Sequence, residues 1–166
     1  MTESRKYSVL FVCLGNICRS PAAQAVMQRL VDERGLTDRF YIDSAGIGAW
    51  HIGDLPDKRM RVHARPRGYE LTHRARQVQS GDFEDFDLIV GMDAGNVDDL
   101  RYKAATIEQQ DKVVMMGEYI RQYPNYDYVP DPYYEGSEGF ELVLDLLEDA
   151  CDNLLNRIIK QNNITQ

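Results

Sequence analysis

YSVLFVCLGNICRSPAAQAVMQRLVDERG, residues 7–35, passes from an apolar run rich in β-branched side chains, through a short polar turn, into a stretch with helical spacing. The first seven residues read as a buried strand. Ser20 can cap the following helix, Pro21 suits its first position, and Gly35 offers a stop. A strand feeding directly into a helix is the repeating unit of an α/β fold. The same alternation recurs, with RFYIDSAG (39–46), FDLIVGM (86–92) and KVVMMG (112–117) as further strands separated by stretches of period near 3.6. This pattern predicts a parallel sheet flanked by helices.

Working outward, PDKRMRVHARPRGYE (56–70) reads as a helix that Pro66 must disturb or end, and DAGNVDDLRYK (93–103) as another. In SEGFELVLDLLEDACDNLLNRIIKQ (137–161), Phe140, Val143, Leu144, Leu147, Cys151, Leu154, Leu155 and Ile158 share one stripe, which places Cys151 in the core as a small apolar residue. Before it, GEYIRQYPNYDYVPDPYYEGSEG (117–139) is long and irregular, and loops of that length in a compact domain are functional or disordered. Its tyrosines argue for order.

The bulk numbers narrow the function. The 166 residues, 43% hydrophobic and 28% charged, suit one domain over 1–166 with an ordinary core and a tail frayed after about 160. No apolar run approaches a membrane span. Residues 7–13 lack a cleavage site and read as a core strand, so we expect a cytoplasmic protein with no membrane association. A net charge of −8 disfavours nucleic acid, and an anionic substrate needs a local positive site. Three cysteines make no disulfide framework.

VCLGNICRSP (12–21) carries the chemistry. As metal ligands, Cys13 and Cys18 are five apart rather than two to four, and no second ligand pair follows. As packing residues, Cys13 would end a buried strand and Cys18 fill space. As a nucleophile site, a strand ending at Cys13 and a turn from Leu14 through Gly15, Asn16, Ile17 and Cys18 would curl backbone N–H groups around an anion at a helix N-terminus. Gly15 and Asn16 permit the unusual backbone such a turn needs. Arg19 supplies a planar fork for two phosphate oxygens. Such surroundings lower a cysteine from about 8.5 to roughly 3.5–7.5, so Cys13 is expected to ionise at neutral pH and attack a phosphate ester in line, giving a phosphocysteine. Ser20 could donate to the departing thiolate.

With C-x5-R-S after a strand, and with IDSAG, HRARQV, FDLIVGMD and DPYY further on, the chain resembles the low-molecular-weight protein tyrosine phosphatases along most of its length. The resemblance implies an α/β, single three-layer domain with a four-stranded parallel sheet flanked by helices on both faces. It also implies no metal, no cofactor, and a phosphotyrosine-containing protein as substrate; we expect a monomer. An Asp between prolines is ordinarily a turn residue, but the DPYY match makes Asp131 the general acid and then the base. Trp50, Tyr133 and Tyr134 resemble the pocket walls. Asn16, Ser20, Ser44 and His73 match the polar set that shapes the anion loop, whereas His51 and His63 have no match and are expected in solvent. Cys18 would guard Cys13 through a reversible disulfide.

Rival readings are weaker. Arsenate reductases of this fold need further redox cysteines, which residues 73–93 lack. Relatives acting on phosphoarginine have threonine where this chain has Ile17, a residue suited to an aryl phosphate. A phosphotyrosine-binding module without turnover would lack Cys13, Arg19 or Asp131.

Overall fold

The computed structural model describes residues 5–133 and 136–165. Four strands, β1 (Tyr7–Cys13), β2 (Phe40–Gly46), β3 (Leu88–Gly91) and β4 (Val113–Met115), form one sheet of order β2-β1-β3-β4. All three pairings are parallel, and Cys13 ends β1 opposite Gly46. Helices α1 (Arg19–Glu33), α2 (Lys58–Ala64), α3 (Asp82–Asp85), α4 (Ala94–Lys103), α5 (Ile107–Asp111) and α6 (Ser137–Gln161) complete the single domain.

The apolar run of β1 follows from burial on both faces. Val9, Phe11 and Cys13 join a core built with α1, α2 and α6, whereas Leu10 and Val12 face Phe83, Phe86, Val97 and Leu100 on the other side. These are the three layers the family resemblance implies. The α6 stripe is buried as read, with Cys151 within it, where burial pushes its thiol pKa up. At the far end Ile164 turns back and is buried, its amide donating to the Ile159 carbonyl at 3.0 Å. Pro66 acts as anticipated: α2 stops at Ala64 and a single 3-10 turn, Arg65–Arg67, leads to Gly68 at φ 90°.

Two local expectations change. Helix α1 starts at Arg19 with Cys18 at its N-cap, so Ser20 is the second helical residue and makes no cap bond. Pro21 still lies in the first turn, where a missing N–H costs nothing. His63 is not solvated: its ring stacks on Phe140 at 5.6 Å between centroids, and its Nδ1 meets Glu141 at 2.5 Å. It docks α2 on α6.

The long loop after β4 is held at specific points. Asp149 of α6 accepts from the amides of Arg121 and Gln122 at 2.7 and 2.9 Å, and the Val129 amide donates to the Met92 carbonyl at 2.8 Å. Buried Val129 thereby ties the loop to the end of β3.

Burial also sets the alkaline limit of the fold. Tyr7 is pushed up to about 12, first by burial and then by the charge of Asp87. Tyr69 and Tyr119 are raised as well, again chiefly by burial. A raised pKa means the native state keeps the proton that the unfolded chain releases near pH 10, so stability is full below that value and declines as pH rises toward 12. We expect the urea midpoint to fall between about pH 9 and pH 11 as phenolates form in the unfolded chain; a flat midpoint across that window would contradict these burial assignments.

Candidate active site

The site sits at the C-terminal ends of β1 and β3. From β1 the chain goes to β2 on one side, and β3 lies on the other. That divergence opens the crevice where ligands of parallel α/β sheets bind.

The turn after β1 directs its carbonyls outward. Those of Cys13, Leu14 and Ile17 accept from the amides of Ile47, Gly48 and Asp57 at 2.9, 2.9 and 2.8 Å, and that of Cys18 accepts from Ala22 at 3.3 Å. Among the described residues, the amides from Leu14 to Cys18 donate to no protein group. Donors left over in this way are suited to an external acceptor. The left-handed residue is Asn16, at φ 58°, and Gly15 is not left-handed. Gly15 serves space instead: a Cβ there would lie 3.1 Å from Cδ2 of His51. Gly46, at the end of β2, is needed for the same reason, since its Cβ would come within 3.0 Å of the Asn16 amide.

Cys13 Sγ meets Ser20 twice, accepting from its amide at 3.4 Å and lying 3.1 Å from its hydroxyl. Behind them, Asn16 Nδ2 donates to Ser20 Oγ at 2.8 Å and to Ser44 Oγ at 3.0 Å, while Ser44 donates to Gln24 Oε1 at 2.6 Å. Asn16 Oδ1 accepts from the Arg76 amide at 3.0 Å. Asn16, Ser20 and Ser44 are fully buried, so this satisfied network fixes the loop's shape. His73 borders it at the Ser44 backbone. Its Nδ1 faces Asp43 at 3.7 Å, its Nε2 has no partner among the described residues, and burial lowers its pKa against the pull of Asp43 and the Ser44 backbone.

Arg19 is buried at the crevice floor. Its Nη1 donates to Asp93 at 2.7 Å and to the Val129 carbonyl at 2.9 Å, and its Nη2 is 3.8 Å from Asp131. Burial works against its charge, but Cys13, Asp93 and Asp131 outweigh it and its pKa is raised. Asp93 does two jobs: its other oxygen accepts from Asn96 at 2.8 Å and caps α4. Asp131 is partly exposed, and its Oδ1 accepts from the Tyr133 amide at 3.0 Å. Pro130 and Pro132 on either side restrict the backbone that carries it.

The position of that loop depends on Gly117. A Cβ there would fall 1.7 Å from the Asp127 carbonyl oxygen and 2.7 Å from the Tyr128 amide, both backbone atoms. Gly117→Ala must therefore displace the segment leading to Asp131. We expect a fall in stability of about 1–3 kcal/mol and a loss in kcat of roughly a hundredfold, the scale of an ångström misplacement. Urea titration and steady-state kinetics check both; an unchanged kcat would show that the loop is not set here.

Cys13, Leu14, Gly15, Ile17, Cys18, Arg19, Trp50, His51, Asp131 and Tyr133 enclose a cavity of about 290 Å³. Trp50 forms one wall, its ring lying against the Gly48 backbone where a Cβ would overlap it. Tyr133 forms another and carries the Arg59 guanidinium 5.3 Å from its ring centre. Tyr134 lies outside the described residues. His51, expected in solvent, lines the cavity, with Nδ1 3.4 Å from Asp54. Cys18 is buried at the same cavity, and its pKa is raised, by burial first and then by Asp57, Cys13 and Asp131. It remains a thiol. Among the described residues, no group of three or more His, Cys, Asp or Glu side chains is arranged to hold a metal ion, and no helix is long and apolar enough to cross a membrane.

Sequence reasoning had no role for Asp93, His51 or Gln24. Asp93 ends the FDLIVGMD stretch, and a carboxylate at the C-terminal edge of a strand next to β1 was the available signal. Nothing in the sequence pattern marks His51 or Gln24.

Fold and site define a class first: an α/β protein with a cysteine and a tight turn at the end of a central strand, an arginine below and an aspartate across the opening. A family model described as low molecular weight phosphotyrosine protein phosphatase matches residues 8–164, and the chain belongs to that family. It is 42% identical over 158 residues to the low molecular weight protein-tyrosine-phosphatase YfkJ of Bacillus subtilis, covering 95% of this chain and 99% of that one. A protein tyrosine phosphatase from Entamoeba histolytica superposes with a TM-score of 0.91 at 41% identity, over 95% of this chain and 99% of that one. A drosophila arginine phosphatase superposes with a TM-score of 0.84 at 35% identity, over 90% and 96% of the two chains.

Proposed function

We propose that the protein hydrolyses phosphotyrosine in proteins through a phosphocysteine intermediate. The observation that supports this most is the convergence of Cys13, Arg19 and Asp131 on one cavity, beside a loop whose amides have no protein acceptor among the described residues. The phosphoryl oxygens take those amides and the Arg19 fork. Cys13 Sγ, as thiolate, attacks phosphorus; the S–P bond forms as the P–O bond to the aryl group breaks, and protonated Asp131 gives its proton to the departing oxygen. Water then attacks phosphorus, Asp131 takes the water's proton, and the S–P bond breaks. Inorganic phosphate leaves, and Ser20 hydrogen bonds stabilise the returning thiolate.

Because a drosophila arginine phosphatase shares the fold, the pocket rather than the fold supports the substrate. Ile17, Trp50 and Tyr133 present an apolar slot to an aromatic ring. Phosphate release from a phosphotyrosine peptide is expected to proceed in chelator and to exceed release from a phosphoarginine peptide by at least about tenfold, the reach of an apolar pocket. Preference for phosphoarginine would overturn the substrate, and absence of release from both would overturn the activity.

The same geometry supports a redox function for Cys18. Peroxide converts the Cys13 thiolate to a sulfenic acid, the neighbouring Cys18 thiol displaces water to form the disulfide, and two equivalents of an external thiol restore both cysteines. Peroxide-treated wild type is expected to regain activity in dithiothreitol, whereas Cys18→Ala is expected to be lost irreversibly. Equal recovery of the two would remove the role.

A further inference from the structure

Apart from one bridge between Gln77 and Gly46, the segment 75–78 has no regular structure, yet it lies directly behind the anion loop. Gly46, at the end of β2, donates to the Arg76 carbonyl and accepts from the Val78 amide, both at 2.8 Å. The Arg76 side chain closes a clamp over this crossing. Its Nε and Nη2 reach Asp43 Oδ2 at 3.2 and 3.0 Å, and its Nη1 and Nη2 reach the two oxygens of Asp82 at 3.0 and 3.1 Å. Both carboxylates stand on fixed elements. Asp43 lies in β2; Asp82 opens α3, accepts from the Gln79 amide at 2.7 Å, and is followed by Phe83 in the core cluster that holds Leu10 and Val12 of β1. Burial works against the Arg76 charge, but Asp82 and Asp43 outweigh it and its pKa is raised.

What the clamp holds in place is the Arg76 amide, which donates to Asn16 Oδ1 at 3.0 Å. A side-chain amide has an accepting end and a donating end, and its surroundings decide which faces where. With its oxygen turned to that N–H, Asn16 presents Nδ2 as a donor to Ser20 Oγ and Ser44 Oγ, at 2.8 and 3.0 Å. Each hydroxyl then has its own proton to give elsewhere. That of Ser44 goes to Gln24 Oε1 at 2.6 Å, and that of Ser20 is left for Cys13 Sγ at 3.1 Å or the Ala45 carbonyl at 3.3 Å. A charged sulfur is the stronger acceptor of the two. Reversed, Asn16 would set donor against donor at Arg76, and its oxygen would draw the Ser20 proton away from Cys13.

We propose that the clamp of Asp43, Arg76 and Asp82 is a positioning unit for the reaction, fixing the Asn16 amide and through it aiming the Ser20 hydroxyl at Cys13 Sγ. This rests on the phosphocysteine reading above. None of the three clamp residues lines the cavity, so they act through Asn16 and Ser20 rather than on the substrate. The step that depends on them is the second, in which the S–P bond breaks, its electron pair returns to sulfur, and the Ser20 O–H meets the charge that forms there. The first step discharges the sulfur and gains nothing from that contact.

The test is Arg76→Met, which keeps the backbone amide and removes the clamp. In rapid-mixing turnover of p-nitrophenyl phosphate, steady-state kcat is expected to fall at least about tenfold, the scale of one hydrogen bond to a charged group. The rate of the initial nitrophenol burst is expected to stay within about threefold of wild type. Arg76→Lys keeps the charge without the planar fork and is expected to recover part of the loss. Asp82→Asn, which removes one arm of the clamp and keeps an acceptor for the Gln79 amide, is a milder second variant with the same pattern expected. In an Asn16→Ala background, Arg76→Met is expected to add less than about twofold, because the two act along one path. A folded Arg76→Met with unchanged kcat overturns the proposal, and a lower urea midpoint alone then assigns the clamp to stability. A loss that falls on the burst, or one as large with Asn16→Ala as without it, overturns it as well. Absence of nitrophenol release from wild type would instead overturn the phosphatase reading.

Discussion

Cys13→Ser protein is expected to lose turnover of aryl phosphates by roughly a million-fold, the scale on which covalent hydrolases respond to loss of the nucleophile, while still binding inorganic phosphate. The two halves of this result come from different parts of the structure. Binding depends on the loop amides and Arg19, and these are held by Asn16, Ser44, Asp93 and the Val129 carbonyl, none of which the substitution touches. In the proposed mechanism turnover depends on the atom at position 13. A serine hydroxyl needs a neighbouring base, whereas the groups against Cys13 Sγ are the amide and hydroxyl of Ser20. Calorimetry with phosphate and a burst-free rate assay separate the two, and appreciable residual turnover in a folded variant would place the nucleophile elsewhere.

Asp131→Ala is expected to slow hydrolysis of phenyl phosphate by about 10²–10⁴-fold, the usual yield of a positioned acid, and to slow p-nitrophenyl phosphate much less in its first step. The reason lies in the departing oxygen: nitrophenolate leaves without a proton, and phenolate does not. The partly exposed carboxylate facing Arg19 across the cavity is the group the proposed mechanism assigns to supply that proton. Because the residue is partly exposed and its loop is anchored by Val129 and Gly117, the substitution should leave stability nearly unchanged. Equal losses for both leaving groups would remove Asp131 from the acid role.

The strands and principal helices were legible because each repeats a pattern: β1 is apolar on both faces, and α6 buries a continuous stripe. The C-x5-R turn was legible because neighbours in sequence are neighbours in space. What escaped has no local pattern. Asp93 meets Arg19 across 74 positions, and His63 meets Glu141 across 78, so both depend on how β3, α2 and α6 dock rather than on any nearby residue. His73 shows the converse. Its match to the polar set with Asn16, Ser20 and Ser44 corresponds here to a contact with the Ser44 backbone, while it is the Arg76 amide that reaches Asn16, with the Arg76 side chain clamped between Asp43 and Asp82. Ser20 was read as a helix cap because serine before a helix ordinarily is one, and its hydroxyl is instead turned toward Cys13.

The central claim is that phosphoryl transfer passes through Cys13. Rapid acid quench of the protein during turnover of an aryl phosphate, followed by mass spectrometry of its peptides, measures this directly. With p-nitrophenyl phosphate, whose leaving group needs no proton, one phosphoryl group on the peptide containing Cys13, accumulating further in Asp131→Ala and absent in Cys13→Ser, is the expected result; phosphate released with no phosphopeptide in any of the three proteins, or a phosphoryl group on a different residue, would contradict it.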